Sequence, residues 1–347
     1  MATYKDAGVD IDLGDECSAI AYKAAKGTFS GRKGMIGEPV LMEGGFTGAM
    51  DFGDYYLVQN DDGIGTKMII AKQVGRYSTM GYDLLAMVVD DAICAGAEVV
   101  SISNTIDIDK VDKPAIREMM EGLMKACIEQ KVVIPGGEIA ELGSMVKGII
   151  WNATAVGIVE KKKMITGEKI KAGDPIIGFR EKGFRSNGFT LIRYILDNNL
   201  GKDWHKTNFG NGKTWGEMVL TPTKIYHAAV LEMIGRYKQK PQVEIKGIAH
   251  ITGGGLPGNV VRILENNNLG AKIDILPEVP DVIRKVKEIG KISDEEAFKS
   301  WNMGIGMVVV SDEYEKIKEI AQKHDIEAVI IGIVTGEPGI EINGIKF

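Results

Sequence analysis

Residues 82–95 constrain the fold most, because they read as a helix that is apolar on nearly every side. The apolar positions are Leu84, Leu85, Met87, Val88, Val89, Ile93 and Cys94. Such a helix must be covered by other elements all round. Asp90 and Asp91 lie within it, and a buried carboxylate without a partner is costly. The pattern predicts that at least one of them meets a metal, a cation or a hydrogen-bond donor, with a solvated helix edge as the alternative.

A second acidic stretch, residues 59–67, combines two neighbouring aspartates with a glycine turn. It contains Asp61, Asp62, Gly63, Gly65, Thr66 and Lys67. The residues before it, 55–58, predict a strand, and those after it, 68–71, can open a helix. At the end of a strand Asp61 or Asp62 can hold Mg²⁺, while Thr66, Lys67 and the helix N–H groups can bind phosphate oxygens. An ordinary polar β-turn is the alternative.

The chain is longer, at 347 residues, than one hydrophobic core usually supports, so two domains are expected. Its 44% hydrophobic and 26% charged residues are typical of a globular protein. No apolar run approaches the roughly 18 residues that a membrane span needs. The first residues also lack the basic and apolar segments of a secretory signal. We therefore expect no membrane partner and a cytoplasmic location.

Charge, cysteine and glycine usage narrow the function classes further. The formal net charge of −6 argues against a nucleic-acid partner, which requires a basic surface. Cys17, Cys94 and Cys127 lack the spacing of a disulfide framework or a zinc site. Glycine is abundant, at 44 of 347 residues, against a usual share of about 7%. This abundance indicates many tight turns and close backbone contacts.

Strand and helix patterns alternate along the chain. Strands are predicted at 99–102, 132–134, 149–159, 175–179, 308–310 and 329–334, and helices at 14–26, 114–128, 189–197, 226–237 and 313–324. Residues 221–223 are expected to cap the helix at 226–237. In the first half, the strand at 132–134 is expected to end at Gly136 and Gly137, next to carboxylates. The charged, turn-rich segment 161–174 is interpreted as the join between two domains.

The stretch 250–259 offers a competing interpretation. Gly253, Gly255 and Gly258 fit the dinucleotide-binding pattern, with a strand-like segment at 243–248 before them and Asp274 after them. This pattern supports an NAD-dependent oxidoreductase, but it leaves the acidic sites of the first half unexplained. The glycines can equally bind any phosphate at the start of a helix at 259–265. His250 by itself is more often structural than catalytic.

Six motifs follow one another over nearly the whole chain. They are Tyr4-Lys5-Asp6-Ala7-Gly8-Val9-Asp10-Ile11, Asp62-Gly63-x-Gly65-Thr66-Lys67, Gly136-Gly137-Glu138-x-Ala140-Glu141, Ser186-Asn187-Gly188, His250-x-Thr252-Gly253-Gly254-Gly255 and Gly304-x-Gly306-Met307. Together they resemble the phosphoribosylformylglycinamidine cyclo-ligase family, the aminoimidazole ribonucleotide synthetases of purine synthesis. The wider superfamily uses ATP and includes formylglycinamidine ribonucleotide synthetase.

The resemblance implies an α/β fold of the α+β type with two domains. Residues 1–165 would form an N-terminal mixed-sheet domain that binds ATP and pairs across a homodimer, and residues 166–347 a C-terminal α/β domain. ATP would lie in a cleft partly shared between subunits, near the interface. The implied partners are a small ribotide and a second copy of the chain.

The resemblance also implies roles for individual residues. Catalytic roles fall on His250, Asp62 and Lys67. ATP would contact Lys5, Asp6, Asp62, Gly63, Gly65, Thr66, Lys67, Asp91, Gly136, Gly137 and Glu138. Mg²⁺ would be held by Asp62, Asp91 and Glu141. The ribotide would contact Arg185, Ser186, Asn187, His250, Thr252, Gly253, Gly254 and Gly255.

The implied reaction has two steps. The formamide oxygen of the ribotide attacks the γ-phosphorus of ATP, and a nitrogen then closes the imidazole ring as phosphate leaves. The alternatives are a paralogue that phosphorylates another amide or carboxylate, and a non-catalytic protein that keeps the fold. The chain departs from the family pattern at Val99, Gly143, Arg185 and the extra acid Asp61. Arg185 replaces a common histidine and is expected either to bind a ribotide phosphate or to lie exposed on a loop.

Overall fold

A computed structural model describes residues 6–8, 11–41, 45–210 and 212–347 of the chain. Lys5, which the resemblance places near ATP, lies outside these residues. No helix in this described part is both long and apolar enough to cross a membrane. The predicted cytoplasmic location stays a prediction.

The first large sheet is built from the N-terminal half. Its strands are β1 (Glu38–Val40), β2 (Gly48–Asp51), β3 (Tyr55–Gly63), β4 (Glu98–Ile108), β5 (Val133–Glu141) and β6 (Ile149–Glu160). They lie in the order β1-β2-β3-β6-β4-β5. β4 and β5 run parallel, and the other neighbours are antiparallel. The sheet is therefore mixed, as the resemblance implied.

Helices cover one face of this sheet. They are α2 (Lys67–Val74), α3 (Met80–Cys94) and α4 (Lys113–Gln130), whereas α1 (Ile11–Gly27) is exposed at all its residues with described side chains. α3 is the helix predicted to be buried, and it packs on α4, β3 and β6. It crosses α4 closely, because a Cβ atom on Gly81 would stand 2.1 Å from the Leu123 nitrogen. α3 thus forms the centre of the N-terminal half.

The second half contains a larger sheet. Its strands and a separate hairpin are β7 (Pro175–Arg180), β8 (Asn208–Gly210), β9 (Lys213–Thr214), β10 (Gly247–His250), β11 (Gly270–Ile273), β12 (Ile305–Val310), β13 (Ala328–Thr335), β14 (Gly339–Ile342) and β15 (Ile345–Lys346). The sheet order is β10-β12-β7-β13-β11-β14-β15, and β8 pairs with β9.

Seven α-helices accompany this sheet within the described residues. They are α5 (Phe189–Leu200), α6 (Trp215–Val219), α7 (His227–Ile234), α8 (Gly255–Val260), α9 (Asp281–Gly290), α10 (Asp294–Ser300) and α11 (Tyr314–Lys323). Short 3-10 helices lie at Phe29–Arg32, Gly143–Met145, Lys161–Lys163, Trp204–Lys206, Val261–Ile263 and Glu265–Asn267. The predicted two-domain α/β fold is confirmed, whereas the boundary at residues 165 and 166 stays a prediction.

Two strand predictions need correction. Gly136 and Gly137 do not end a strand, since β5 continues through them to Glu141. The dinucleotide interpretation of residues 253–258 is also wrong at the level of the fold. β10 is an edge strand antiparallel to β12, and three strands separate it from β11, after which Asp274 lies. A dinucleotide-binding fold requires parallel neighbouring strands at this point.

The helix after β10 differs from its prediction as well. It begins at Gly255 and ends at Val260, instead of covering residues 259–265. A Cβ on Gly255 would lie 1.8 Å from the Phe298 carbonyl oxygen, so this glycine is required for close packing on α10. The role of Gly255 is therefore explained by contact between helices.

A first buried ion pair lies within the N-terminal half and takes its other hydrogen-bond partners from the second half. Lys67 Nζ lies 2.8 Å from Asp83 Oδ1, and both side chains are fully buried. The same ammonium donates to the carbonyl oxygens of Arg185, at 2.9 Å, and Thr221, at 3.1 Å. Asp83 in turn accepts from the backbone N–H of Thr223 at 3.1 Å. Because buried charges require such partners, these contacts fix the second half against α2 and α3.

A second buried pair is formed by Asp90 and Arg185, whose Oδ2 and Nη2 atoms are 2.9 Å apart. Asp90 Oδ1 also accepts from the backbone N–H groups of Tyr226 and His227, at 2.9 and 3.0 Å. These N–H groups lie at the start of α7. The cap predicted from residues 221–223 is thus supplied by a carboxylate of the other domain, because Thr221 and Thr223 bind the Lys67–Asp83 pair.

Candidate active site

Two carboxylates meet where β3 passes α3. Side chains alternate along a strand, so Asn60 and Asp62 point towards α3 while Asp61 points to the opposite face. Asp61 there accepts a hydrogen bond from the Thr154 hydroxyl. Asp91, on the last turn of α3, is the electrostatic neighbour of Asp62. The structure thereby selects Asp62, of the two adjacent aspartates, as the partner of Asp91.

Both oxygens of Asp91 accept hydrogen bonds. His250 Nδ1 lies 2.7 Å from Oδ1, and Asn60 Nδ2 lies 3.3 Å from Oδ2. On the other side of the imidazole, Arg185 Nη2 is 2.6 Å from His250 Nε2. A guanidinium has only donors, so Nε2 must accept and Nδ1 must carry the proton that is donated to Asp91. This network assigns a neutral histidine with a defined tautomer.

Burial governs the protonation of these groups. Burial raises the pKa of Asp62 to about 6. The hydrogen bond from the Gly63 N–H lowers this pKa, and the negative charge of Asp91 raises it. Burial also raises the pKa of Asp91 to about 7, against the charge of Arg262 and the Asn60 hydrogen bond. For His250, burial and the charge of Arg185 lower the pKa to about 3. The histidine is therefore neutral at physiological pH.

The carboxylate pair fits a divalent cation. Mg²⁺ prefers oxygen ligands and is often held by one or two carboxylates together with substrate phosphates. Two carboxylates that repel each other and have raised pKa values are stabilised by such a cation. No group of three or more His, Cys, Asp or Glu residues is placed for metal binding in the part of the chain that the structure describes. Asp62 and Asp91 are thus the residues that could hold Mg²⁺.

A tight turn lies next to the glycines that follow β10. Ser186 Oγ and Asn187 Oδ1 are buried and have no hydrogen-bond partner among the described residues. Gly253 faces this turn, since a Cβ on it would stand 4.0 Å from Asn187 Nδ2. Thr252 is half-buried, while Gly253 and Gly254 are exposed. Unsatisfied polar atoms beside an open glycine surface are the expected setting for a polar ligand.

Several predicted nucleotide contacts are used differently. Lys67 is fully buried, and its three contacts with Asp83 and two carbonyl oxygens leave no donor for a phosphate. The phosphate-binding and catalytic roles predicted for Lys67 therefore conflict with its position. Gly63 is explained by strand packing, because a Cβ there would lie 2.0 Å from Asn152 Oδ1.

The neighbouring positions remain compatible with a ligand. Gly65 has a φ of 66° and open space around its Cα, and Thr66 Oγ1 lies 3.2 Å from Thr190 Oγ1. Asp6 is exposed in a turn near the N-terminus. Contacts of these three residues with ATP stay predictions.

Glu141 does not join the carboxylate pair. In sheet register, Asp62 lies level with Ala153 on β6, Asn104 on β4 and Gly137 on β5. Three strand spacings correspond to roughly 14 Å, and Glu141 is four residues further along β5. Its carboxylate also accepts from the Val111 N–H at 2.8 Å. A metal shared by Glu141 and Asp62 of one subunit is therefore wrong.

The same distance applies to the glycine motif on β5. Gly136, Gly137 and Glu138 are exposed on this strand, three strands away from Asp62 of the same subunit. Gly137 lies close to β4, because a Cβ there would stand 2.8 Å from the Asn104 carbonyl oxygen. An ATP molecule that contacts these residues, as predicted, would therefore not be the one bound at Asp62 and Asp91 of the same subunit.

Arg185 is neither on the surface nor open to a ligand. Its side chain is fully buried, and besides Asp90 it contacts Glu181, with Nη1 and Oε2 3.0 Å apart. The backbone φ of 58° places it in the left-handed region at the start of the turn. Both sequence-based interpretations of Arg185, as a phosphate ligand and as a loop residue in solvent, are thus wrong. Two buried carboxylates occupy its guanidinium instead.

Sequence reasoning missed Asn60 and the structural role of Asp90. Asn60 is two residues before Asp62 in a strand, so the period of two could have placed both on one face. Asp90 was identified as a buried carboxylate, but its partners Arg185, Tyr226 and His227 are far away in the sequence. No local pattern indicates contacts of this kind.

Comparison with known proteins places this fold and site in a class. The model of the AIR synthase related protein N-terminal domain matches residues 45–159, and that of the C-terminal domain matches residues 171–345. The chain belongs to the AIR synthase related family. The family relationship predicted from the six motifs is confirmed.

Relatives that align over the full length are more specific. Phosphoribosylformylglycinamidine cyclo-ligase of Methanococcus maripaludis strain C5 is 39% identical over 346 residues, covering 99% of this chain and 95% of the relative. The protein of the same name from Thermococcus kodakarensis is 39% identical over 350 residues, covering 100% of both chains. The similarity therefore includes both domains and the site between them.

Solved structures of more distant proteins share the fold. Thiamine monophosphate kinase from Aquifex aeolicus has a TM-score of 0.59 at 15% identity, covering 84% of this chain and 90% of that chain. Phosphoribosylformylglycinamidine synthase II from Thermotoga maritima has a TM-score of 0.58 at 18% identity, covering 88% of this chain and 45% of that chain. At this identity the likeness shows the fold alone.

The raised pKa values predict a pH-dependent stability. Both lie above the ordinary 3.8 of aspartate, so the folded protein binds these protons more tightly than the unfolded chain. The stabilising contribution is complete below about pH 4 and is lost as the pH rises through 6 and 7. Asp91→Asn removes the larger of the two contributions to this pH-dependent stability. Relative to this variant, wild type should lose on the order of 2 kcal/mol of unfolding free energy between pH 5 and 8.

Urea denaturation of both proteins at the two pH values measures this difference. Mg²⁺ added at pH 8 should stabilise wild type and leave Asp91→Asn nearly unchanged, because the cation binds the folded carboxylate pair. Parallel pH profiles of wild type and variant would contradict the raised pKa of Asp91.

Proposed function

We propose that the protein catalyses the ATP-dependent ring closure of formylglycinamidine ribonucleotide to aminoimidazole ribonucleotide, with release of ADP and phosphate. The full-length similarity to curated phosphoribosylformylglycinamidine cyclo-ligases is the observation that carries this proposal. A solved structure of T. maritima PurL complexed with ATP shares the fold, at a TM-score of 0.54 and 17% identity. The reaction forms a carbon–nitrogen bond, so the enzyme is a ligase of purine synthesis.

On the nucleotide side, we assign Asp62 and Asp91 to Mg²⁺. When bound, the ion neutralises charge on the phosphate oxygens of ATP. Asn60 and His250 each donate a hydrogen bond to Asp91 and so fix the orientation of its carboxylate. His250 is fully buried with both ring nitrogens engaged, so we assign it a positioning role in place of direct catalysis. Partners of this kind commonly orient metal ligands.

On the ribotide side, we assign the turn at Ser186 and Asn187 together with Thr252, Gly253 and Gly254. The two buried oxygens without partners favour a polar ligand that donates hydrogen bonds. The exposed glycines allow a ligand to approach the backbone closely. The ribotide would thus lie on the C-terminal domain and face the nucleotide across the domain boundary. This arrangement brings the formamide oxygen towards the γ-phosphorus.

Incubation with ATP, Mg²⁺ and formylglycinamidine ribonucleotide tests the proposal. Wild type should release ADP and form the aromatic imidazole product in equal amounts. Asp62→Asn and Asp91→Asn should lower kcat by roughly 100-fold or more, because they remove anionic ligands of the Mg²⁺ that would stabilise the phosphoryl-transfer transition state. Asp203→Asn provides a matched control, since Asp203 is exposed, pairs with Lys206 at 2.8 Å and lines none of the cavities at the site, so this variant should keep near-normal turnover.

The readouts separate the rival functions. Release of ADP without ring closure, or only with another amide or carboxylate, would favour a paralogous ATP-dependent enzyme. Full activity of both Asp62→Asn and Asp91→Asn, with unchanged melting temperature, would contradict the assigned metal site.

We further infer that the N-terminal sheets of two subunits pair in a homodimer. Helices cover one face of the sheet, and the other face exposes apolar side chains. Among them are Val100 on β4, Val133 on β5 and Ile150 on β6. Exposed apolar side chains on an uncovered sheet face, together with an unpaired edge strand, are unusual for a monomer. A second copy of the same sheet would cover both features.

Substitution of Ile150 by glutamate should disrupt this dimer. A charge buried between two apolar sheets is costly, so Ile150→Glu should shift the mass towards the monomer. Ile128→Glu is the control, because Ile128 is even more exposed but lies on α4, in the helical layer. Sedimentation at micromolar concentration measures the mass, and a dimeric Ile150→Glu protein would contradict the interface.

A further inference from the structure

A glycine-rich loop borders two large cavities, one of which reaches Asn60, the hydrogen-bond partner of Asp91. The loop connects β1 with β2, and its described residues are 41 and 45–47. One cavity, of about 1350 Å³, is bounded by Gly45, Phe46 and Asn60 among others. The other, of about 1130 Å³, is bounded by Gly45, Phe46 and Arg262. The position of this loop therefore determines the shape of both cavities.

Arg262 contacts the loop from the other domain. It lies in the 3-10 helix Val261–Ile263, which directly follows α8. Its Cζ atom is 3.8 Å from the centre of the Phe46 ring, and its Nη2 donates to the Gly45 carbonyl oxygen at 2.5 Å. A planar guanidinium can stack on a ring and donate in its own plane at the same time, which an ammonium cannot.

The far end of the loop is fixed to β3. The Thr47 hydroxyl donates to the Gln59 carbonyl oxygen at 2.7 Å, and Gly48 pairs with Gln59 in the sheet. The next residue of β3 is Asn60, which donates to Asp91. The loop is thus held by Arg262 at one end and by the strand of the carboxylate pair at the other.

The charge of Arg262 also acts at the site itself. Among the groups that oppose the effect of burial on Asp91, Arg262 has the largest influence and lowers the pKa of this carboxyl. Phe46 is half-buried and packs against both hydrophobic clusters, one of which belongs mainly to the C-terminal domain. Arg262 and Phe46 therefore lie on the boundary between the domains, beside Asp91.

We propose that Arg262 is a positioning residue, which fixes Gly45 and Phe46 as a wall of the cavity that Asn60 borders, and that this cavity takes the nucleotide. The inference rests on the proposed ATP-dependent function and names the contact that shapes its nucleotide side. We call the contact of Arg262 with Gly45 and Phe46 the clamp. Its loss leaves the carboxylates in place but no longer fixes the loop. The nucleotide must then order the loop on binding, which weakens its affinity.

The test uses Arg262→Lys, Phe46→Leu and the double variant in the full-length protein. Arg262→Lys keeps a positive charge near Asp91 but loses the stacked, donating geometry. Each single variant should raise the KM for ATP roughly three- to tenfold, in the range of a partly buried cation–π contact. The KM for ATP of the double variant should be no higher than that of the more impaired single variant, because both substitutions break the same contact. The KM for the ribotide should change less than twofold.

Amide hydrogen exchange of residues 45–50 gives a second readout. Exchange should be faster in all three variants without nucleotide, while their melting temperatures stay close to that of wild type. Lys285→Met is the matched control, because Lys285 Nζ lies 3.9 Å from the centre of the Phe209 ring, away from both cavities. This variant should change neither the KM for ATP nor exchange in the loop.

Three outcomes would overturn the clamp. In the first, the effects of the two substitutions on the KM for ATP multiply in the double variant, which means that they are independent. In the second, amide exchange in residues 45–50 is unchanged. In the third, Arg262→Lys has the wild-type KM for ATP, which means that only the charge of Arg262 matters. Phe46→Leu decides the question if an Arg262 variant does not fold. If wild type does not turn over the ribotide, the proposed function fails, whereas exchange and the Kd of a Mg²⁺-bound ATP analogue still test the clamp.

Discussion

The buried guanidinium of Arg185 links the two domains at the point where the carboxylate pair lies. It contacts Asp90 on α3 and donates to His250, which in turn donates to Asp91. Consecutive residues of a helix point about 100° apart, so the adjacent aspartates can have different tasks. Asp90 joins the domains and caps α7, while Asp91 faces Asp62. The position of Asp91 therefore depends on His250 across the domain boundary as well as on Asn60 of its own domain.

Because of these buried charges, the interface between the domains tolerates little displacement. Removal of one partner from a buried ion pair typically costs about 3–5 kcal/mol, because the remaining charge stays buried without compensation. Arg185 pairs with Asp90 across the boundary, and the Lys67–Asp83 pair takes hydrogen-bond partners from the second domain, so a shift between the domains would leave buried charges without partners. The domains are thereby held in one relative position. A nucleotide bound by the first domain and a ribotide bound by the second would then meet with little loss of entropy.

The sequence predicted the elements whose signals are local. The apolar pattern identified α3, the six motifs identified the family, and Asp62 and Asp91 were selected together. The errors concern residues whose partners are distant in the chain. Lys67 resembles a phosphate ligand, but residues 83, 185 and 221 surround its ammonium. The resemblance implied that Glu141 shares a metal site with Asp62, yet two strands lie between β3 and β5 in the sheet. Such contacts arise from tertiary packing, which no local pattern encodes.

The metal assignment of the carboxylate pair is the claim on which the functional account depends. Crystals grown with Mn²⁺ and a non-hydrolysable ATP analogue allow the ion to be located by its anomalous scattering. The account predicts a peak about 2.0–2.3 Å from oxygens of both Asp62 and Asp91, with the Asn60 and His250 contacts to Asp91 retained. A peak beside Asp61 or Glu141, with no metal between Asp62 and Asp91, would contradict it.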